Sequence, residues 1–253
     1  NLPATADVYL VFKGRKGPKL FNFDWWEMRG LEQVNMPLFQ TKYTADPSPL
    51  VVGDTLFLYT SHDASPEDIP DVNEKSSAGF FMYDWLLWST TDMVNWTEHG
   101  AVASLKDFPW RGRENGAWAI QTVERNGKYY LYAPLHGHGI GVLEADSPYG
   151  PFKDPLGKPL VWDQSNWYDI DPSVYTDDDG QAYMYWGNPH TFWAKLGEDM
   201  TSLTSGVTKL PHIPNYQEGP WFYKRNGHYY LGFASTCCPE ALGYAMSDSP
   251  TGP

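Results

Sequence analysis

The chain has 253 residues, with 18 Lys and Arg against 31 Asp and Glu, a formal net charge of −13. That balance excludes the basic surfaces that hold nucleic acid or anionic membranes, and no apolar run approaches the roughly 18 residues a spanning helix needs. Hydrophobic residues make up 42% of the chain and aromatic residues 16%, enough for a packed core and for aromatic surfaces, for which sugars are natural partners.

The chain opens on strand-like alternation, Val8-Tyr9-Leu10-Val11-Phe12, followed by Leu20-Phe21-Asn22-Phe23-Asp24-Trp25-Trp26. There is no basic start and no apolar core segment, so these residues do not form a signal peptide. They also do not fit the units that follow. Residues 1–29 therefore form a separate β remnant, residues 30–37 a linker, and residues 38–253 the main domain, left incomplete at its C-terminus.

From there the chain repeats itself. Turn glycines at Gly53, Gly127, Gly180 and Gly227 each precede an aromatic-rich strand, such as Lys128-Tyr129-Tyr130-Leu131-Tyr132. Asn126-Gly127, Asp179-Gly180 and Asn226-Gly227 are tight-hairpin signals. A shorter strand lies upstream of each glycine, beginning near Asp46, Trp118, Asp171 and Glu218. A third element follows: Ser89-Thr90-Thr91-Asp92-Met93, then Asp146-Ser147-Pro148, Gly197-Glu198-Asp199-Met200 and Asp248-Ser249-Pro250. Several short strands per unit, recurring at propeller spacing and without a convincing amphipathic helix, predict an all-β fold built of propeller blades. Four units are legible. The fourth stops before its outer strand, and at least one further blade is expected.

Acids open three of the four units. Asp46 sits in Ala45-Asp46-Pro47-Ser48, Asp171 in Ile170-Asp171-Pro172-Ser173, and Glu218 in Glu218-Gly219-Pro220. The innermost strand of a blade lines the central channel, so equivalent positions converge at one end of it. Three carboxylates brought together repel one another and shift one another's pKa values, an arrangement that suits chemistry better than stability. Paired carboxylates are what hydrolysis of a glycosidic bond requires. One protonates the leaving oxygen, one activates water, and a third tunes the acid.

These motifs resemble glycoside hydrolase family 43. The resemblance rests on Thr44-Ala45-Asp46-Pro47, on the run from Asp169 to Gly180, on Glu218-Gly219-Pro220, and on Thr91-Asp92-Met93-Val94-Asn95-Trp96. It implies a five-bladed β-propeller, here truncated to about four blades, and an inverting mechanism. Asp46 is then the general base, Asp171 the pKa modulator and Glu218 the general acid. The implied substrate is plant hemicellulose. Release of α-L-arabinofuranose from arabinoxylan is the leading expectation, followed by release of β-D-xylose from xylooligosaccharides or a non-catalytic carbohydrate-binding propeller. A microbial protein, secreted or periplasmic, is implied too. The first residues resemble the tail of a family 6 carbohydrate-binding module, a β-sandwich, in which Asn22 would contact sugar and Asp24 would lie near a structural calcium. The chemistry itself calls for no cofactor.

Four further residues are candidate substrate contacts: Trp118, at the acid-equivalent start of the second unit, and His62, His136 and Asn188 at strand ends. His136-Gly137-His138 lacks the additional ligands of a zinc site, and no catalytic metal is expected. Asp177-Asp178-Asp179-Gly180 reads as a hairpin turn rather than a calcium loop. The adjacent Cys237 and Cys238 read as free thiols, since neighbouring Cα atoms about 3.8 Å apart are too close for an ordinary disulfide.

Overall fold

The computed structural model describes residues 38–73, 79–236 and 240–252. The proposed binding-module remnant with Asn22 and Asp24, the linker, and the two cysteines lie outside the described residues.

Fourteen strands form four antiparallel sheets, and among the described residues the single helical element is a 3-10 turn at Leu105–Asp107. The first sheet contains β1 (Thr44–Val52), β2 (Thr55–His62), β3 (Asp84–Thr90) and β4 (Thr97–Ser104) in sequence order. The second contains β5 (Gln121–Arg125), β6 (Lys128–Pro134) and β7 (Ile140–Ala145). The third contains β8 (Ser173–Thr176), β9 (Ala182–Trp186), β10 (Phe192–Lys195) and β11 (Thr208–Lys209), and the fourth contains β12 (Tyr216–Arg225), β13 (His228–Ser235) and β14 (Leu242–Ser247). These are the blades expected from the repeat, and the fourth has three strands.

Strand periodicity determines how the blades stack. Successive side chains point to opposite faces, so a central strand buried on both faces serves two cores. Leu131 and Ala133 of β6 pack into a core with Phe57, Tyr59 and Trp85 of the first sheet. Their neighbours Tyr130 and Tyr132 face Met184 and Trp186 of the third sheet. Tyr183 and Tyr185 of β9 then meet Phe222 and Leu231 of the fourth.

Two series of hydrogen bonds repeat from blade to blade. Along the inner strands, Thr122 N–H donates to Ser48 Oγ at 3.0 Å, Val174 N–H to Gln121 Oε1, and Phe222 N–H to Ser173 Oγ at 3.0 Å. Farther out, a buried tyrosine of the central strand in each of the first three blades reaches a carbonyl in the third element of the next blade. Tyr59 Oη donates to Pro148 O at 2.6 Å, Tyr132 Oη to Met200 O at 2.7 Å, and Tyr185 Oη to Pro250 O. The strand pairing places Ser48 opposite Tyr59, Gln121 opposite Tyr132, Ser173 opposite Tyr185, and Trp221 opposite Gly232. The fourth blade thus has Trp where the others carry the polar acceptor, and Gly where they carry the tyrosine.

Tyr132 is fully buried. Replacing it with Phe would leave the Met200 carbonyl without its hydroxyl donor, and a stranded buried acceptor costs about 1–3 kcal/mol. Urea denaturation should therefore place Tyr132→Phe about that much below the parent in unfolding free energy. An unchanged midpoint would mean that this latch contributes nothing.

Asp177-Asp178-Asp179-Gly180 is a hairpin turn, closed by Gly180 N–H to Asp177 O at 2.8 Å. The Asp177 side chain also joins the third blade to the fourth. It accepts from Tyr229 Oη at 2.6 Å and from Lys224 Nζ at 3.1 Å. Burial opposes its charge, but these donors outweigh it and hold the carboxyl at about 2.

Candidate active site

The first strands of neighbouring blades lie side by side, and their starting ends meet at a cleft of about 530 Å³. Asp46, Asp171 and Glu218 all line it, so the three acids that the repeat singled out come together.

Each acid is presented by an irregularity in its strand. The β1–β2 register breaks between Ala45 and Ser48, and Asp46 there has φ 52°. Asp171, just ahead of β8, has φ 54°. The left-handed region is strained for most side chains but tolerated by Asp. On β12 the register shifts on both sides of Glu218, and Gly219 takes the positive φ, 61°.

Pairing refines the repeat alignment. Glu218 faces Ala234 two places beyond Gly232, as Ala45 faces Ser61 two places beyond Tyr59. Glu218 therefore occupies the register of Ala45, and Gly219-Pro220 that of Asp46-Pro47. The acid-equivalent residue of the second blade is Ala119 rather than Trp118, counting back two places from Gln121 as Asp46 lies two back from Ser48.

The three carboxyls have different environments. Asp46 Oδ2 accepts from Ser61 Oγ at 2.7 Å. Burial raises its pKa, the Ser61 bond opposes this, and nearby Asp63 adds to it. Asp171 Oδ2 accepts from Gly219 N–H at 3.0 Å, which ties the third blade to the residue after Glu218. Burial, then the charges of Glu218 and Asp46, push Asp171 up to about 8. Glu218 Oε2 accepts from Asn188 Nδ2. Burial raises its pKa, Asn188 opposes the rise, and Glu240 and Asp46 add to it. Groups coupled this closely titrate as a set, and the set keeps a proton into the neutral range.

Among the four other candidates, Trp118 lines the cleft. Its carbonyl accepts from Trp85 Nε1 at 2.7 Å, and its ring meets His136 edge-on, centroids 4.0 Å apart. His136, His62 and Asn188 are not among the lining residues. His136 stands between Trp118 and Trp167, 6.0 Å from the latter's ring. His62 is buried, with Nδ1 2.7 Å from Asp84 Oδ1; its neighbour Asp63 reaches the cleft instead. Asn188 is buried against Glu218.

Sequence reasoning did not single out Phe80, Trp167 and Trp221, which complete an aromatic wall, or Glu240, which also lines the cleft. Proximity to Asp171 could have suggested Trp167, and position beside Glu218-Gly219-Pro220 could have suggested Trp221. Nothing in the sequence marked Phe80 or Glu240.

The profile of the glycosyl hydrolases family 43 matches residues 35–253. The chain belongs to that family. It is 33% identical to an arabinoxylan arabinofuranohydrolase of Bacillus subtilis (strain 168), over 86% of this chain and 50% of that protein. It is 34% identical to one of Paenibacillus polymyxa, over 86% of this chain and 40% of that protein. The chain thus spans half or less of the length of these two relatives. Among solved structures, an α-L-arabinofuranosidase from Clostridium thermocellum ATCC 27405 is 39% identical, with TM-score 0.69, over 85% of this chain and 72% of that one. A family 43 β-xylosidase/α-arabinofuranosidase from a compost metagenome, in a calcium-free complex with xylotriose, is 28% identical, with TM-score 0.71, over 86% of this chain and 77% of that one. For this family 43 chain, the four sheets agree with the blades read from its repeat, and the arabinoxylan-acting relatives agree with the substrate class that the resemblance implied. Among the described residues no three His, Cys, Asp or Glu side chains gather to hold a metal ion; the calcium expected beside Asp24 lies outside them.

Proposed function

We propose that this chain forms the catalytic propeller of an inverting glycosidase that releases α-L-arabinofuranose from arabinoxylan. The observation that carries the reading is three carboxyls with different environments facing one aromatic-walled cleft. Asp46, whose charged form the Ser61 hydroxyl supports, takes a proton from water as that water attacks the anomeric carbon. Glu218, whose pKa burial raises, gives its proton to the glycosidic oxygen as the carbon–oxygen bond breaks. The sugar leaves with inverted configuration, Asp46 is left protonated and Glu218 ionised, and exchange with solvent restores both. Inversion needs the two carboxyls about 6.5–9.5 Å apart so that water fits between them. Asp171 tunes Glu218 and holds Gly219 beside it. Proton donor and acceptor both come from the chain, so this scheme calls on no cofactor.

The arabinofuranose reading is supported by the arabinofuranohydrolases and the arabinofuranosidase among the relatives. The second reading, β-D-xylose from xylooligosaccharides, is favoured by the structural relative bound to xylotriose. A fifth blade seated on the exposed face of the fourth, where Trp221, Tyr223 and Tyr244 are partly or largely uncovered, would complete the ring. A polymeric substrate places the protein's work outside the microbial cell membrane, in a secreted or periplasmic setting. Neither nucleic acid nor membrane is a proposed partner.

Chromatography of sugars released by the intact protein decides between the readings. Arabinose from arabinoxylan, with little xylose from xylooligosaccharides, is the expected result. Xylose instead would establish the second reading. No sugar from either, with the protein folded, would leave a carbohydrate-binding propeller.

A further inference from the structure

Glu218 is one end of a directional chain of amides. Gln217 Nε2 donates to Asn188 Oδ1 at 3.0 Å, and Asn188 Nδ2 donates to Glu218 Oε2. With its oxygen turned to the Gln217 donor, the planar Asn188 amide turns its NH₂ group toward Glu218. Asn188 is 5% exposed, so its side chain has no solvent alternative. Its backbone is pinned from several directions. Asn188 N–H donates to Tyr168 O at 3.3 Å and Gly187 N–H to Ile170 O at 2.9 Å. Tyr216 Oη, on the strand that carries Glu218, donates to Gly187 O at 2.7 Å. Gly187 has φ 118°, and a Cβ there would meet the His190 carbonyl oxygen at 2.3 Å. The acid's strand and the amide's loop are therefore one assembly.

The consequence concerns the two oxygens of a single carboxyl. A proton on Oε2 would confront the Asn188 NH₂ group, donor against donor. On Oε1 it leaves Oε2 free to accept. We propose that Asn188 is a positioning residue that fixes the proton of Glu218 on Oε1 for delivery to the glycosidic oxygen. This rests on Glu218 being the general acid. The titratable groups facing Glu218 are Asp46 from β1, Asp171 ahead of β8, and Glu240 ahead of β14. Asn188 is the neutral donor among them.

Leaving-group dependence tests it. A glycoside with an acidic aryl leaving group departs with little need of a proton, whereas one with a sugar leaving group does not. Asn188→Ala should lower kcat on arabinoxylan oligosaccharides at least about tenfold, change the aryl glycoside rate less than about threefold, and leave KM nearly unchanged. Its basic limb should move to higher pH, because the lost bond favoured the ionised acid. Gln217→Ala, which frees the Asn188 amide to turn, should show the same pattern more weakly and serves if Asn188→Ala fails to fold. Glu218→Gln is the control. If it loses both substrates alike, Glu218 is not the acid. If it discriminates between them and neither amide variant does, the positioning role of Asn188 is overturned.

Discussion

Glu218→Ala is expected to lower turnover on arabinoxylan by at least about 10²-fold, the usual scale of general acid catalysis, without unfolding the protein. Glu218 lines the cleft and accepts from Asn188, and burial holds its pKa up. Its removal takes one buried carboxyl from a set whose members repel as they ionise, so little stability should be lost. The pKa of Asp171, raised in part by Glu218, should fall. The checks are turnover by sugar release, circular dichroism, and a thermal melt beside the parent. Unchanged turnover in a folded variant would end the assignment of Glu218 as the acid.

Asp171→Asn should separate stability from activity. The folded carboxyl titrates at about 8 against an ordinary 3.8. Below the ordinary value the residue is protonated in both folded and unfolded chains and carries no penalty. As pH rises from about 4 to about 8 the unfolded chain releases a proton that the folded chain keeps, and parent stability falls; above that the penalty is constant. Asn cannot titrate, and its Oδ1 can still accept from Gly219 N–H. The variant should therefore gain on the parent by a few kcal/mol as pH rises across that window, read from chemical denaturation at several pH values. Activity should move the other way. With one site of the coupled set gone, Glu218 loses its remaining proton more readily, so the basic limb of kcat/KM should shift to lower pH and the rate should fall at least about tenfold. A stability difference that does not change with pH would refute the raised pKa.

The repeat was legible because blade geometry is local. A turn glycine, a period of two and an Asp-Pro before a strand leave marks in sequence. Asp46 and Asp171 could be found that way, and Glu218 nearly so. The one-residue offset of Glu218 could not, because it arises from bulges in β12 and from Gly219 taking the backbone conformation that Asp46 and Asp171 take themselves. A longer side chain from one place earlier reaches the same cleft. Trp118 falls in line with the acids in the sequence for a related reason: without the pairing of Gln121 to Tyr132 there is no register to count from.

The sequence by itself determined the all-β repeat, the blade boundaries and the three carboxylates, since each depends on residues close together in the chain. Tertiary structure alone decided what surrounds those carboxylates. Asn188 meets Glu218 across blades, Ser61 meets Asp46 across a strand pair, and Glu240 and Phe80 reach the cleft from loops. The pKa of a carboxyl is set by burial and by charges a few ångströms away in space, and distance along the chain does not carry that information.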